Sequence, residues 1–107
     1  MTLPQFSIPQ DKLTKYLLVA DHRTGGSKAR FFLAHGFSLT DPNTLAIALT
    51  VHAREHWPGS LVPSAWGERH ELIGPMDLAD GSQRDVLAIW EVRHGQTTAR
   101  FVTAYPQ

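Results

Sequence analysis

The chain contains no cysteine. Disulfides and thiolate metal sites are therefore excluded, and the composition fits a reducing cytoplasm. No apolar run approaches the roughly 18 residues that a membrane span needs. The start, "MTLPQFSIPQDK", lacks a basic segment followed by an apolar one, so it does not read as a secretory signal. Excess charge of either sign is missing too: Lys plus Arg number 10, Asp plus Glu 10, and the formal net charge is +0. That argues against holding nucleic acid by bulk charge, although a small local patch would suffice for an enzyme acting on RNA. The phosphate-binding G-x-x-x-x-G-K-[ST] loop, the dinucleotide fingerprint and the G-x-S-x-G elbow are all absent. No internal repeat or low-complexity segment is present. No cofactor and no membrane contact are expected.

What is present fits one domain, residues 1–107, with an ordinary hydrophobic content of 42%. Six histidines would make the chain cationic in mild acid. "LPQFSIP" reads as an extended lead-in or short edge strand, because Pro limits ladder pairing. In "QDKLTKYLLVAD", Leu13, Tyr16, Leu17 and Ala20 recur at helical spacing. A second helix is expected over 28–35. Ser27 is its candidate N-cap, Ala29, Phe32 and Leu33 form its inward stripe, and Gly36 with Phe37 terminates it. Asp41-Pro42 opens a third helix, with Leu45, Ala48, Leu49 and His52 on one face. "PGSLVPSAWG" reads as a loop.

The second half changes period. "ERHELIG", "RDVLAIWEVR" and "TARFVTAY" read as strands joined by turns, with Asp80-Gly81 marking one of them. The expected fold is therefore α+β: about three N-terminal helices packed on one face of a small antiparallel sheet of three to four strands.

The stretch "DHRTGGSKARFFLAHGF", residues 21–37, carries the strongest chemical signal. Two glycines before a helix let backbone N–H groups converge, and a helix start favours anions. Gly25, Gly26, Ser27 and Arg30 are the candidate anion-binding residues. Lys28 adds a full charge, and His22 can transfer a proton near neutral pH. A phosphodiester-cleaving site needs such parts. The plainer reading is a capped turn with solvated Lys28 and Arg30, and by motif alone it is the commoner outcome.

Other polar residues compete with this site. His52 and His56 stand at i, i+4 and could form a metal half-site, but "HAREH" is not H-E-x-x-H. Core packing and the helix dipole explain them more simply, so no metal site is assigned. On the strands, Glu68 or His70, Arg84, Arg100, Thr103 and Tyr105 could line a concave polar surface. Strict alternation would put Arg100 with Val102 and Ala104, and Thr103 with Phe101 and Tyr105. Trp57 and Trp66 flank the Pro/Gly/Ser loop, where an exposed aromatic could anchor a protein partner.

"KLTKYLL", "DHRTGGSKARFFLAHGF" and "VLAIWEVRHGQTTARFVTAYP" together resemble a small bacterial domain family of unknown function. Its marks are a K-L-x-x-Y-L-L start, an H-x-x-G-x-x-K-A-x-x-F loop and helix, and an L-V-T-A-Y-P-like closing strand. The resemblance covers nearly the whole chain, with Phe101-Val102 where Leu-Val is more usual. Its layout is similar to ribonuclease toxins of the barnase, colicin and RelE-like group. That resemblance implies a catalytic set of His22, Lys28, Arg100, Thr103 and Tyr105. It also implies a metal-independent, cytoplasmic ribonuclease with an RNA substrate and an antitoxin or immunity partner. The alternative is a non-catalytic interaction module, the partner or immunity half of a small bacterial operon.

Overall fold

A computed structural model describes residues 2–21 and 26–107. Its α+β architecture places the helices, mostly N-terminal, against a five-stranded sheet of order β1-β5-β4-β3-β2. The strands are β1 (Gln5–Ser7), β2 (Ser60–Pro63), β3 (Gly67–Asp77), β4 (Gln83–Arg93) and β5 (Thr98–Pro106). The sheet is larger than expected, and it is mixed rather than purely antiparallel. The lead-in strand β1 pairs parallel to β5, Gln5 opposite Thr98 and Ser7 opposite Arg100. Phe6 fixes it there, edge-on to both Trp57 (5.4 Å) and Trp90 (5.2 Å). At the far edge, the stretch expected as a loop contains β2. Its four residues are all exposed, so neither face shows the alternation that would mark a strand.

The first helical segment is short and changes its winding. α1 (Gln10–Lys12) passes into a π-helical turn, Leu13–Leu17, closed by the Leu18 N–H bonding to the Leu13 carbonyl at 2.9 Å. α2 spans Gly26–Ala34 and so starts two residues before the expected Lys28. Ser27 therefore lies inside the helix rather than capping it. The expected terminator holds: Gly36 has φ 98°, Phe37 N–H bonds the Phe32 carbonyl, and Gly36 N–H bonds that of Leu33. This is a Schellman closure, and its accompanying hydrophobic contact is Phe37 on Phe32. α3 (Pro42–His56) begins with Pro42 at its first turn as expected. Asp41 does not cap the backbone; its carboxylate accepts a bond from the Thr44 hydroxyl instead.

The core lies between the helices and one face of the sheet. Phe32, Leu45, Leu49, Leu72, Met76, Val86, Ala88, Trp90, Phe101 and Ala104 are among its buried members. Along β4, Val86, Ala88 and Trp90 face this core. Leu87, Ile89 and Glu91 therefore face the side without helices.

One irregularity determines where the polar residues go. β4 and β5 shift register between Ile89 and Trp90: Ile89 pairs with Thr103, but Trp90 pairs with Phe101. Val102 is the extra residue of a β-bulge, which reverses the alternation along β5. The expected grouping is thereby overturned. Phe101 and Ala104 are both buried, while Arg100, Thr103 and Tyr105 share the register of Glu91, Ile89 and Leu87.

Candidate functional site

β1 pairs only with Thr98–Arg100, so among the described residues the rest of β5 has no strand neighbour on that edge. α2 packs there instead, and the π-helical turn reaches it through Tyr16. Lys28, in the first turn of α2, reaches the edge. Its ammonium donates to the Tyr16 phenol at 2.8 Å and to the Thr103 hydroxyl at 3.3 Å. The Tyr16 and Thr103 oxygens are hydrogen-bonded to each other at 3.0 Å. The same ammonium lies 5.4 Å from the centre of the Tyr105 ring. Ser27, Lys28, Tyr105 and Pro106 line an open pocket of about 530 Å³ beside this group.

Tyr16 takes part through the π-helical turn, which carries its ring to the β5 edge while Leu13 and Leu17 stay buried. The Lys12 ammonium stands 5.4 Å and the Lys28 ammonium 5.5 Å from the centre of the ring. Burial raises the phenol pKa. The bonds from Lys28 and Thr103, and the charges of Lys28 and Lys12, outweigh that and hold it below 10.

Of the residues expected from the sequence, Lys28, Thr103 and Tyr105 converge here, with Ser27 on the pocket wall. His22 and Gly25 lie outside the described residues. Gly26 is buried against the Ala20 carbonyl, where a Cβ would collide, so it serves close packing. Arg30 donates to the same carbonyl at 3.1 Å. Arg100 is opposite Glu91, on the row of the sheet next to that of Thr103. His70 and Glu68 are on the helix side: His70 pairs with Trp90, stacks on Trp57 at 4.0 Å, and donates to the Pro58 carbonyl. Arg84 is also on that side, 5.6 Å over Phe31. The concave polar surface expected from the strands therefore divides between the two faces of the sheet.

Tyr16 is the residue that sequence reasoning missed as a functional group. Its helical spacing read as core, yet its oxygen meets Thr103, 87 positions away in the chain. The available signal was its place in the K-L-x-x-Y-L-L block.

The histidine pair is otherwise engaged. His52 Nε2 donates to the Val86 and Gly74 carbonyls at 2.9 and 3.2 Å, and His56 Nε2 donates to the Pro75 carbonyl at 3.0 Å. The described residues contain no group of three or more metal-ligating side chains. The groove along α3, about 260 Å³, is walled by Phe37, Ile47, Val51 and Leu78, and among the described residues its only ionisable lining residue is Asp77. Among the described residues no helix is long and apolar enough to cross a membrane.

Residues 2–107 match the model of the family described as Domain of unknown function (DUF6883), and the chain belongs to that family. Its fold is similar to that of a chain in the contact-dependent growth inhibition toxin – immunity protein complex from Klebsiella pneumoniae 342. The TM-score is 0.70 at 14% identity, covering 94% of this chain and 98% of that one. At that identity the likeness is one of fold. No curated protein matches the sequence.

Proposed function

We propose that this protein is a metal-independent, toxin-like ribonuclease of the bacterial cytoplasm whose site is built on Tyr16, Lys28, Thr103 and Tyr105. The observation that carries the reading is the convergence of Lys28 with Tyr16 and Thr103 beside an open pocket that Lys28 also lines. The three sequence blocks on which the family resemblance rests each supply a member of that group.

The chemistry follows from the group. In RNA the 2′-hydroxyl attacks the adjacent phosphorus, its proton goes to a base, and the bond to the 5′-oxygen breaks as that oxygen gains a proton. A fixed ammonium such as Lys28 stabilises the charge on the phosphorane-like transition state. A phenol made more acidic by two ammonium groups is suited to protonate the leaving oxygen. Thr103 and Tyr105 would position the phosphate or ribose, and His22 is the proposed partner in proton transfer. The likeness to a chain of a toxin–immunity complex supports a toxin-type role with a neutralising protein partner.

The test is cleavage of labelled RNA by the purified protein in EDTA. Tyr16→Phe is expected to lower kcat by about 10²-fold or more. Lys28→Met is expected to do the same with the fold intact by circular dichroism. Wild-type protein that leaves RNA uncut with and without divalent metal overturns the reading.

A second reading has its own observation. Trp66 is 70% exposed, next to the β2–β3 turn, while Trp57 packs on Phe6 and His70. An exposed tryptophan is a favoured anchor at protein interfaces. The complex named above contains an immunity protein, so the non-catalytic alternative is a partner-binding module centred on Trp66. Stable binding to a purified partner that Trp66→Ala abolishes, in a chain without nuclease activity, would favour it.

A further inference from the structure

The side of the sheet without helices carries a second charged group. Glu91 is 8% exposed, although no helix covers that side. Arg69 on β3 pairs with its carboxylate through Nε at 3.7 Å, and Arg93 does so through Nε at 3.3 Å. Arg100 is its register neighbour on β5, and the Arg100 side chain has no hydrogen bond or ion pair among the described residues. One carboxylate thus meets two guanidinium groups, with a third arginine at the adjoining register position, and a surplus of positive charge remains in a chain whose overall formal charge is +0.

The way Glu91 is used matters. It meets Arg69 and Arg93 at Nε, and among the described residues no hydrogen bond engages the terminal Nη groups of either arginine. A guanidinium presents a planar fork suited to phosphate, and a partner that fixes its orientation reduces the entropy lost on binding. The side chains of Arg69 and Arg93 are 46% and 50% exposed. A carboxylate that only neutralised its neighbours would leave less to offer.

The position matters as well. The Val102 bulge puts Arg100, Thr103 and Tyr105 in register on one face. The Glu91 row is next to the Ile89–Thr103 row, so roughly 7 Å along the strand separates the arginines from Thr103. Ile89 forms an uncharged floor between them. Glu71, opposite Ile89 on β3, is the other charge on this row. It would repel a polyanion from the β3 side and leave the β5 side, with Arg100, as the open path.

We infer that Arg69, Arg93 and Arg100, organised around Glu91, form a phosphate subsite that holds the backbone of single-stranded RNA beyond the Lys28–Thr103 site. This rests on the ribonuclease reading for the identity of the polyanion.

The experiment measures binding of a short, uncleavable 2′-O-methyl RNA by fluorescence anisotropy over a range of salt. It compares wild type with Arg100→Gln, Arg93→Gln and, as a control, the exposed Lys15→Gln. Both arginine variants leave Arg69 to accompany Glu91, and thermal melts check their fold. Each is expected to weaken binding by about fivefold and to lower the slope of log K against log salt by roughly 0.7. Lys15→Gln should change neither. With cleavable RNA, KM should rise by more than kcat falls.

Unchanged affinity and slope in both arginine variants overturn the subsite, and cleavage by wild type would leave the catalytic reading standing. Arginine-dependent binding without cleavage supports the subsite and removes the catalytic reading. Failure of wild type to bind the uncleavable RNA overturns the subsite, and the cleavage assay decides the catalytic reading separately.

Discussion

The Lys28 ammonium and the Tyr16 phenol oxygen are 2.8 Å apart, and Thr103 closes the triangle at 3.0 and 3.3 Å. The arrangement makes Tyr16 a reporter of its own site. The chain has two tyrosines, so in a Tyr105→Phe background the phenolate absorbance reports Tyr16 alone. Its midpoint should lie below 10. Lys28→Met removes both a hydrogen bond and a charge, and the midpoint should move up. An unmoved midpoint would mean that Lys28 does not act on the phenol. The sign for stability follows. The folded pKa lies below the unfolded value, so this group stabilises the native state fully above about pH 10. That contribution is lost as pH falls through the folded pKa.

His52 should make the fold sensitive to mild acid. Burial is the main cause of its lowered pKa, and nearby His56 adds to it. The bonds to Val86 and Gly74 oppose the shift but do not overcome it. The folded pKa is below 6.5, so the unfolded chain takes up a proton first. The stability linked to His52 is complete above about pH 6.5 and is lost as pH falls toward the folded value. Urea midpoints at pH 7.5 and 5 measure it. The drop should be smaller in His52→Gln, which does not titrate; an equal drop would assign the acid sensitivity elsewhere.

The fold class was legible because its evidence is local. Helical spacing, the Gly36-Phe37 terminator and three apolar strands each need only neighbouring residues. The features that build the site are not local. "TARFVTAY" contains no mark of an inserted residue, because a bulge is defined by the partner strand it opposes. β2 has no buried face to pattern, and the parallel pairing of β1 with β5, with Phe6 against Trp90 and Trp57, is a contact that its own residues do not announce. Tyr16 looked like core since its apolar ring follows the same spacing as Leu13 and Leu17. Lys28, Thr103 and Tyr105 were legible as chemistry, but their proximity depends on β1 ending at Ser7 and leaving the β5 edge open.

Acid should affect a second place, at the β3–β4 turn. The Asp80 carboxylate accepts from the Ser82 hydroxyl and backbone N–H, and from His35 Nδ1 at 2.9 Å. Ser82 contributes most to lowering its pKa from 3.8 to about 2, and His35 adds to the effect. The associated stability is present above about pH 4 and is lost as pH falls toward 2. This bond ties the end of α2 to the turn. Asp80→Asn should therefore flatten the acid limb of the unfolding profile between pH 4 and 2. A limb of unchanged steepness would show that the carboxylate is not the group being protonated.

Gly74 and His56 should be energetically coupled. Gly74 is buried in β3, and its carbonyl accepts from His52. A Cβ at this position would overlap the His56 ring, which is held in place by its bond to the Pro75 carbonyl. The obstacle is a side chain rather than backbone, so removing it should relieve the conflict. Gly74→Ala alone is expected to cost about 1–3 kcal/mol, the usual penalty for overfilling a packed site. His56→Ala clears the space, and Gly74→Ala in that background should cost markedly less. The coupling in the double-mutant cycle should therefore exceed about 0.5 kcal/mol, the level at which contacting residues depart from additivity. Urea denaturation of the four proteins at pH 7.5 measures it. Additive costs would mean that the strand, rather than the imidazole, yields to the added methyl group.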